Sequence, residues 1–180
     1  MKIWELLSDL DSYENVKYAN GFSLEMDQSF NGQSKIDTWT PLALKTVEGN
    51  LPFADLTHFS AGVPVVSPRV LEVTKDLIDG QVEVLSTLCS DCELYILNIT
   101  NIIDAVDYSK SQVKYFSDGK RVLRFIKLAF IEEKVRGHHI FKLIENKRSS
   151  TYVSDEFRQR IIDNGLTGFK FELVWDSEAE

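Results

Sequence analysis

Two stretches of this chain, Val65–Leu88 and Tyr152–Trp175, follow one plan: apolar residues, a serine, an amphipathic helical run, an Asp–Gly or Asn–Gly pair, then an apolar strand. Few local patterns restrict a fold as much. In the first, Ser67 precedes Pro68, and serine at the N-cap with proline at the first helical position is a strong helix start. Val70, Val73, Thr74, Leu77 and Ile78 then fall on one helical face. Asp79-Gly80 ends the helix, because glycine takes the left-handed conformation freely. In the second, Ser154 caps Asp155–Asp163, which buries Phe157, Ile161 and Ile162. Asp155 and Glu156 sit where the helix dipole favours negative charge, and Asn164-Gly165 is the stop. The two helices differ by two residues in length. Beyond cap and stop they share only apolar pattern, which leaves open both duplication and reuse of one local grammar.

Strands surround these helices. Val82–Leu88 and Phe169–Trp175 follow the two stops, and Leu94–Ile99, apolar on both alternations, reads as a central strand. Ser117-Asp118-Gly119 separates Val113–Phe116 from Arg121–Ile131, a hairpin signal. Arg136-Gly137 separates that long strand from His139–Ile144, so the middle third reads as an antiparallel meander. Nearer the N-terminus, Lys2–Leu7 fits a strand or a short helix. Trp39–Val47 alternates as a strand, and Glu48-Gly49-Asn50 is a turn. Asn15–Lys35, with Gly21, Gly32 and scattered aromatics, suits loops or short edge strands. The expected class is α+β: a mixed, mostly antiparallel sheet with two principal Ser-capped helices packed on it. At 180 residues and 43% hydrophobic, with no Pro/Gly/Ser-rich linker, the chain is expected to form one domain over residues 1–180.

The formal charge of −8 is uneven. Met1–Ser109 carries −11, Lys110–Arg148 carries +7, and Ser149–Glu180 carries −4. An acidic half repels phosphate and disfavours nucleic acid, while it suits a basic protein partner; solubility alone is the plainer explanation. The first residues, MKIWELLSDLDSYENV, lack a cationic start followed by an apolar run, and no window approaches the ~20 apolar residues that span a bilayer. The expectation is a cytoplasmic protein without membrane contact.

Catalytic signals are missing. There is no G-x-S-x-G, P-loop, G-x-G-x-x-G or H-E-x-x-H. Cys89-Ser90-Asp91-Cys92 is a C-x-x-C; a redox dithiol normally opens a helix after a strand, whereas this motif lies between two strands, where a reduced turn pair is expected and metal or redox roles are the lesser alternatives. A zinc site would need further ligands, with His138-His139 the candidates. Those two histidines begin a strand and point to opposite faces, as do Glu132 and Glu133. His58 is isolated beside Phe59, a setting for a packed or surface histidine. Asp104 and Asp107 could share a helical face without an acid–base partner. Lys114, Lys120, Arg121, Arg124 and Lys127 interleave with Tyr115, Phe116 and Phe125, which suits an oligonucleotide platform or an ordinary solvated strand, with the cations neutralising the acidic half. Neither a cofactor nor a metal nor a catalytic residue is expected.

Several segments together resemble a bacterial immunity-protein family associated with polymorphic toxin systems. They are residues 60–71 (Ser-Ala-Gly-Val-Pro-Val-Val-Ser-Pro-Arg-Val-Leu), 99–108 (Ile-Thr-Asn-Ile-Ile-Asp-Ala-Val-Asp-Tyr), 115–119 (Tyr-Phe-Ser-Asp-Gly), 139–142 (His-Ile-Phe-Lys) and the ending from Val153 to Trp175. The resemblance covers residues 59–175 as a family-like core and leaves 1–58 as a more variable part. It implies a small antidote that binds and neutralises a cognate toxin domain stoichiometrically, without catalysis. The alternative is a non-catalytic adaptor module of a secretion system. Combined with the charge map, it places the partner interface in the first part of the chain, at Asp9, Asp11, Tyr13, Glu14, Glu25, Asp27, Asp37 and Trp39, facing a basic toxin domain.

Overall fold

The computed structural model describes residues 1–47, 50–90 and 92–179. In chain order the elements are β1 (Lys2–Ser8), β2 (Val16–Tyr18), α1 (Leu24–Gln28), β3 (Leu42–Thr46), β4 (Leu56–Ser60), β5 (Val63–Val66), α2 (Pro68–Ile78), β6 (Val82–Leu88) and β7 (Tyr95–Ile99). Then follow β8 (Ile102–Ile103), β9 (Gln112–Tyr115), β10 (Val122–Lys127), α3 (Glu132–Val135), β11 (Ile140–Leu143), β12 (Tyr152–Ser154), α4 (Asp155–Asp163) and β13 (Phe169–Asp176). The class is α+β, and α2 and α4 have the bounds their caps and stops predict. The Glu48-Gly49 part of the predicted turn and Asp91 lie outside the described residues.

Among the described residues the strands form three sheets rather than the single sheet expected. One has the order β13-β1-β12-β11-β8, a second β2-β3-β6-β7-β5-β4, and β9 and β10 pair alone. Among the described residues only β3–β6 and β8–β11 run parallel; the other pairings are antiparallel. The six-stranded sheet curls until its edges meet. Thr57 Oγ1 in β4 donates to Asn15 Oδ1 beside β2 at 2.8 Å, and the rings of Tyr18 and Phe59 lie 5.1 Å apart. The result is nearly a barrel, filled by Val16, Phe30, Leu44, Val65, Leu85 and Ile96. β7 lies between β6 and β5, the central place its apolar pattern predicts.

Helices α2 and α4 lie over the seam between the two large sheets. Their buried Val70, Leu77, Phe157 and Ile161 share a cluster with Leu6, Ile140 and Val153 of one sheet and Leu56, Val66 and Leu97 of the other. Arg160 joins the helices through both nitrogens to Asp76, at 2.8 and 3.1 Å, and donates to Val73 O at 3.0 Å. Ile162, expected inside, is 48% exposed because the helix turns it away from the seam. The far face of the five-stranded sheet has its own cluster, with Ile3, Phe130, Phe141, Leu143, Tyr152 and Trp175.

Asp55 ties the seam together. Its Oδ1 accepts from Ser67 Oγ at 2.8 Å, and its Oδ2 accepts from Thr167 N at 2.9 Å and Thr167 Oγ1 at 3.1 Å. Ser67 therefore occupies the N-cap position with its hydroxyl turned to Asp55, not to the helix. Ser154 does cap: its Oγ accepts from Phe157 N at 3.1 Å. Gly168 (φ +82) lies against Leu56 O and Ala54 Cβ, and Gly62 (φ +63) against the backbone of Ser149, so neither position has room for a Cβ.

The predicted meander ends early. β10 stops at Lys127, and α3 is a single helical turn that takes Glu132 and Glu133 out of any strand. β11 then pairs with β12 and β8, not with β10, because Leu128, Ala129 and Phe130 turn into the cluster beneath the sheet. Asp104 and Asp107 are not helical: Asp107 holds the next turn through Ser109 N at 2.9 Å, and Asp104 faces Lys134 at 3.7 Å.

Ser154→Ala should cost about 1 kcal/mol through its cap. Asp55→Ala should cost about 3 kcal/mol, because it leaves the Thr167 and Ser67 donors without their charged acceptor. In urea denaturation, the loss from Ser67→Ala should largely vanish in the Asp55→Ala background. An undiminished loss there would place the hydroxyl's contribution at the helix instead.

Candidate partner-binding surface

Residues 20–40 form an excursion on the outside of the barrel, fastened at several points. Phe30 is buried in the barrel cluster and meets Trp39 edge to face at 6.1 Å. Trp39 Nε1 donates to Ser86 O of β6 at 2.8 Å. Glu83, also on β6, accepts from Lys35 N at 2.8 Å, from Asn98 Nδ2 at 2.9 Å and from Ser34 Oγ. Burial raises the Glu83 carboxyl, but the hydrogen bonds from Ser34, Lys35 and Asn98 outweigh it and hold the group below its ordinary range. The short α1 begins at Ser23, whose Oγ accepts from Met26 N at 3.2 Å.

This fastening presents apolar side chains to solvent. Phe22 is 70% exposed, Leu24 58% and Ile36 53%. Between α1 and the turn at 36–38 lies a groove of about 450 Å³, lined by Glu25, Met26, Lys35, Thr38 and Trp39 among others. Glu25 and Asp37 are exposed beside it and Asp27 is half-buried. Burial, and then the charge of Asp27, push the Tyr18 phenol up to about 12. Four of the predicted interface residues, Glu25, Asp27, Asp37 and Trp39, thus belong to one excursion.

The other four lie elsewhere. Asp9 and Asp11 follow β1 and hold Lys170 at 2.8 and 3.2 Å; the hydrogen bond from Lys170 keeps the Asp9 carboxyl below its usual range. They stand beside a second hollow, of about 490 Å³, where Leu7, Leu10, Phe59 and Ala61 meet His58 and Lys170. Tyr13 is half-buried. Glu14 is a correction: it is 3% exposed, and its carboxylate accepts from Val47 N at 3.0 Å, Asn50 N at 3.1 Å and Leu51 N at 3.4 Å. It organises the loop after β3 and is withdrawn from any partner. Phe22, Leu24 and Ile36 carry no signal in the sequence, since exposure of an apolar residue on or beside a single helical turn leaves no mark on composition.

The remaining candidates are placed by their own local contacts. His138 Nδ1 meets Asn101 Nδ2 at 3.0 Å and His139 Nδ1 meets Ser154 Oγ at 3.0 Å, while Cys89 and Cys92 sit at the β6–β7 turn. Among the described residues no group of three or more His, Cys, Asp or Glu is arranged to hold a metal ion. His58 is pushed down to about 4 by burial and then by the charge of Lys142, so it is neutral at pH 7. Lys142 is itself buried, and burial lowers it to about 8. The β9–β10 hairpin is largely exposed, with Ile126 at 64% and Leu123 at 45%. Its Arg124 stands in register with Lys114, and among the described residues no ion pair joins Lys114, Lys120, Arg124 or Lys127 to the acidic half. Arg121 pairs locally with Asp118 at 2.6 Å.

Residues 24–176 match the model of the Immunity protein family (Imm11), and the chain belongs to that family. The match begins well before Phe59, where the recognisable motifs start, and so takes in the 20–40 excursion from Leu24 onward. Its function is therefore an immunity function in general terms. No curated protein matches the chain significantly. No helix among the described residues is long and apolar enough to cross a membrane.

A pH titration tests the Glu83 anchor. A carboxylate depressed by folding contributes stability above its unfolded pKa, and that contribution is lost as pH falls through the folded value. Stability should therefore decline below about pH 4.5, and Glu83→Gln should lower stability at pH 7 while flattening that decline. An unchanged pH profile in the variant would remove Glu83 from the anchoring role.

Proposed function

We propose that this immunity protein neutralises a cognate toxin domain by one-to-one binding, with the 20–40 excursion as the principal contact. The observation that carries this reading is the exposure of Phe22, Leu24 and Ile36 beside Glu25 and Asp37 on a segment fastened through Glu83 and Trp39. Apolar anchors held among charges are what a preorganised protein interface needs: the anchors provide affinity, and the charges provide encounter rate and selectivity. The partner that suits this surface is a basic protein domain, which binds without catalytic turnover and without a cofactor. Nucleic acid and membrane are poor matches for the same acidic face. Action in the bacterial cytoplasm, as one domain spanning the chain, completes the reading. Asp9 and Asp11, engaged with Lys170 at the neighbouring hollow, form a secondary contact.

The test pairs this chain with the toxin domain encoded beside it. Inhibition should titrate to completion near equimolar antidote, and association should slow as salt rises. Glu25→Lys with Asp37→Lys should slow association about tenfold with little change in melting temperature, since exposed charges contribute little to folding. Phe22→Ala with Leu24→Ala should chiefly speed dissociation. Complete protection far below equimolar antidote would establish turnover and defeat the binding mechanism. Unaltered kinetics in both double variants would exclude the excursion as the contact.

A further inference from the structure

The turn joining β6 to β7 carries both cysteines, and folding brings their sulfurs together. Cys89 Sγ and Cys92 Sγ are 2.8 Å apart, and both cysteines are half-buried and not joined in a disulfide. That separation exceeds the ~2.05 Å disulfide bond by less than about 1 Å. It is far shorter than the spacing of two thiolates around a zinc ion with ~2.3 Å bonds. The geometry is therefore that of a dithiol ready to close rather than half of a metal site.

Access and coupling are also built in. The two sulfurs line an open hollow of about 440 Å³ together with Ser86, Thr87, Glu93 and Tyr95, wide enough to admit a small disulfide. Cys92 packs against the barrel cluster, as Trp39 does. The Trp39 indole donates to Ser86 O, in the strand that leads to Cys89.

We propose that Cys89 and Cys92 form a reversible dithiol–disulfide site that exchanges with low-molecular-weight disulfides, and that its oxidation state is felt at Trp39. Because Cys92 packs on the core, Cys89 is the attacking sulfur. Its thiolate attacks one sulfur of the small disulfide, giving a mixed disulfide and releasing one small thiolate. The Cys92 thiolate then attacks the Cys89 sulfur, closes the intramolecular bond and expels the second small thiolate. The protein gives up two electrons and two protons, and the reagent becomes two small thiols. An excess of small thiol reverses both steps.

The experiment uses the full chain alone, so it is independent of the toxin-binding reading. The protein is incubated with oxidised glutathione, remaining thiols are blocked with an alkylating reagent, and the intact mass is measured. The native chain should lose two hydrogen atoms, take up no alkyl group, and regain two alkylatable thiols on reduction. Cys92→Ser should retain one glutathione on Cys89. Tryptophan emission should shift on oxidation of the native chain, and Trp39→Phe should abolish that shift while the mass change persists. Two alkylated thiols, or a stable double glutathione adduct, under conditions that fully oxidise a thioredoxin-type dithiol would overturn the site. An emission unchanged by oxidation would overturn its coupling to Trp39.

Discussion

Three segments of the chain converge on the carboxylate of Asp55: the start of β4, the entry to α2 and the turn before β13. It accepts from Ser67 and twice from Thr167, and Arg69 stands 3.4 Å away. β4 belongs to the barrel and β13 to the other sheet, so one charged acceptor fixes how the sheets meet. Gly168, pressed against Leu56 O, sets how close they come. The apolar cluster beneath α2 and α4 draws side chains from both sheets and closes only at that separation. Hydrophobic burial is non-directional and would tolerate sliding of one sheet along the other. The hydrogen bonds at Asp55, and the absence of a side chain at Gly168, select one arrangement.

The same logic recurs at the 20–40 excursion. Residues 20–40 contain only α1 and one short turn of regular structure, too little to hold a shape unaided. Glu83 and Asn98 supply hydrogen-bonding partners from the barrel, and Phe30 supplies the apolar plug. Under the proposed function, Phe22, Leu24 and Ile36, exposed on a segment fastened in advance, would lose little further entropy on binding, the condition under which a modest apolar surface yields tight association.

What the amino-acid sequence discloses follows from how local each signal is. The bounds of α2 and α4 depend on Ser-Pro, Ser-Asp, Asp-Gly and Asn-Gly, all within a helix length of the residues they govern, and they are legible. Strand existence is legible for Val82–Leu88, Tyr95–Ile99 and Phe169–Asp176 for the same reason. Partition into three sheets depends on which strands pair across the whole chain, for example Trp4 with Val153 and Leu173, and no local pattern encodes that. The site suffers from the same limit. Glu14 and Glu25 look alike in sequence, yet one is enclosed by backbone N–H groups and the other is exposed. Ser67 and Ser154 both carry a cap signature, and only the proximity of Asp55, twelve residues before Ser67, diverts the first. Lys142 lies in the 139–142 motif with nothing in the sequence to mark it as buried, yet it is among the most enclosed side chains of the described residues.

Among the described residues, Lys134 bridges the basic segment to the acidic first half by facing Asp104 at 3.7 Å, whereas the hairpin does not. The hairpin cations Lys114 and Arg124 face each other across β9 and β10, an arrangement of like charges that costs stability. Were these cations there to neutralise the acidic first half, ion pairs would join the two; among the described residues only local pairs form around the hairpin, such as Arg121 with Asp118. At physiological salt the screening length is about 8 Å, so charges that do not touch act on an approaching molecule largely independently. Under the proposed function, a basic partner domain would be attracted by Glu25 and Asp37 and repelled by Lys114, Lys120, Arg124 and Lys127. Attraction alone would gather such a partner over any acidic patch, whereas attraction opposed by repulsion elsewhere would also turn it. On that reading the hairpin cations would act on the partner's orientation, a role that neither their local packing nor fold stability supplies.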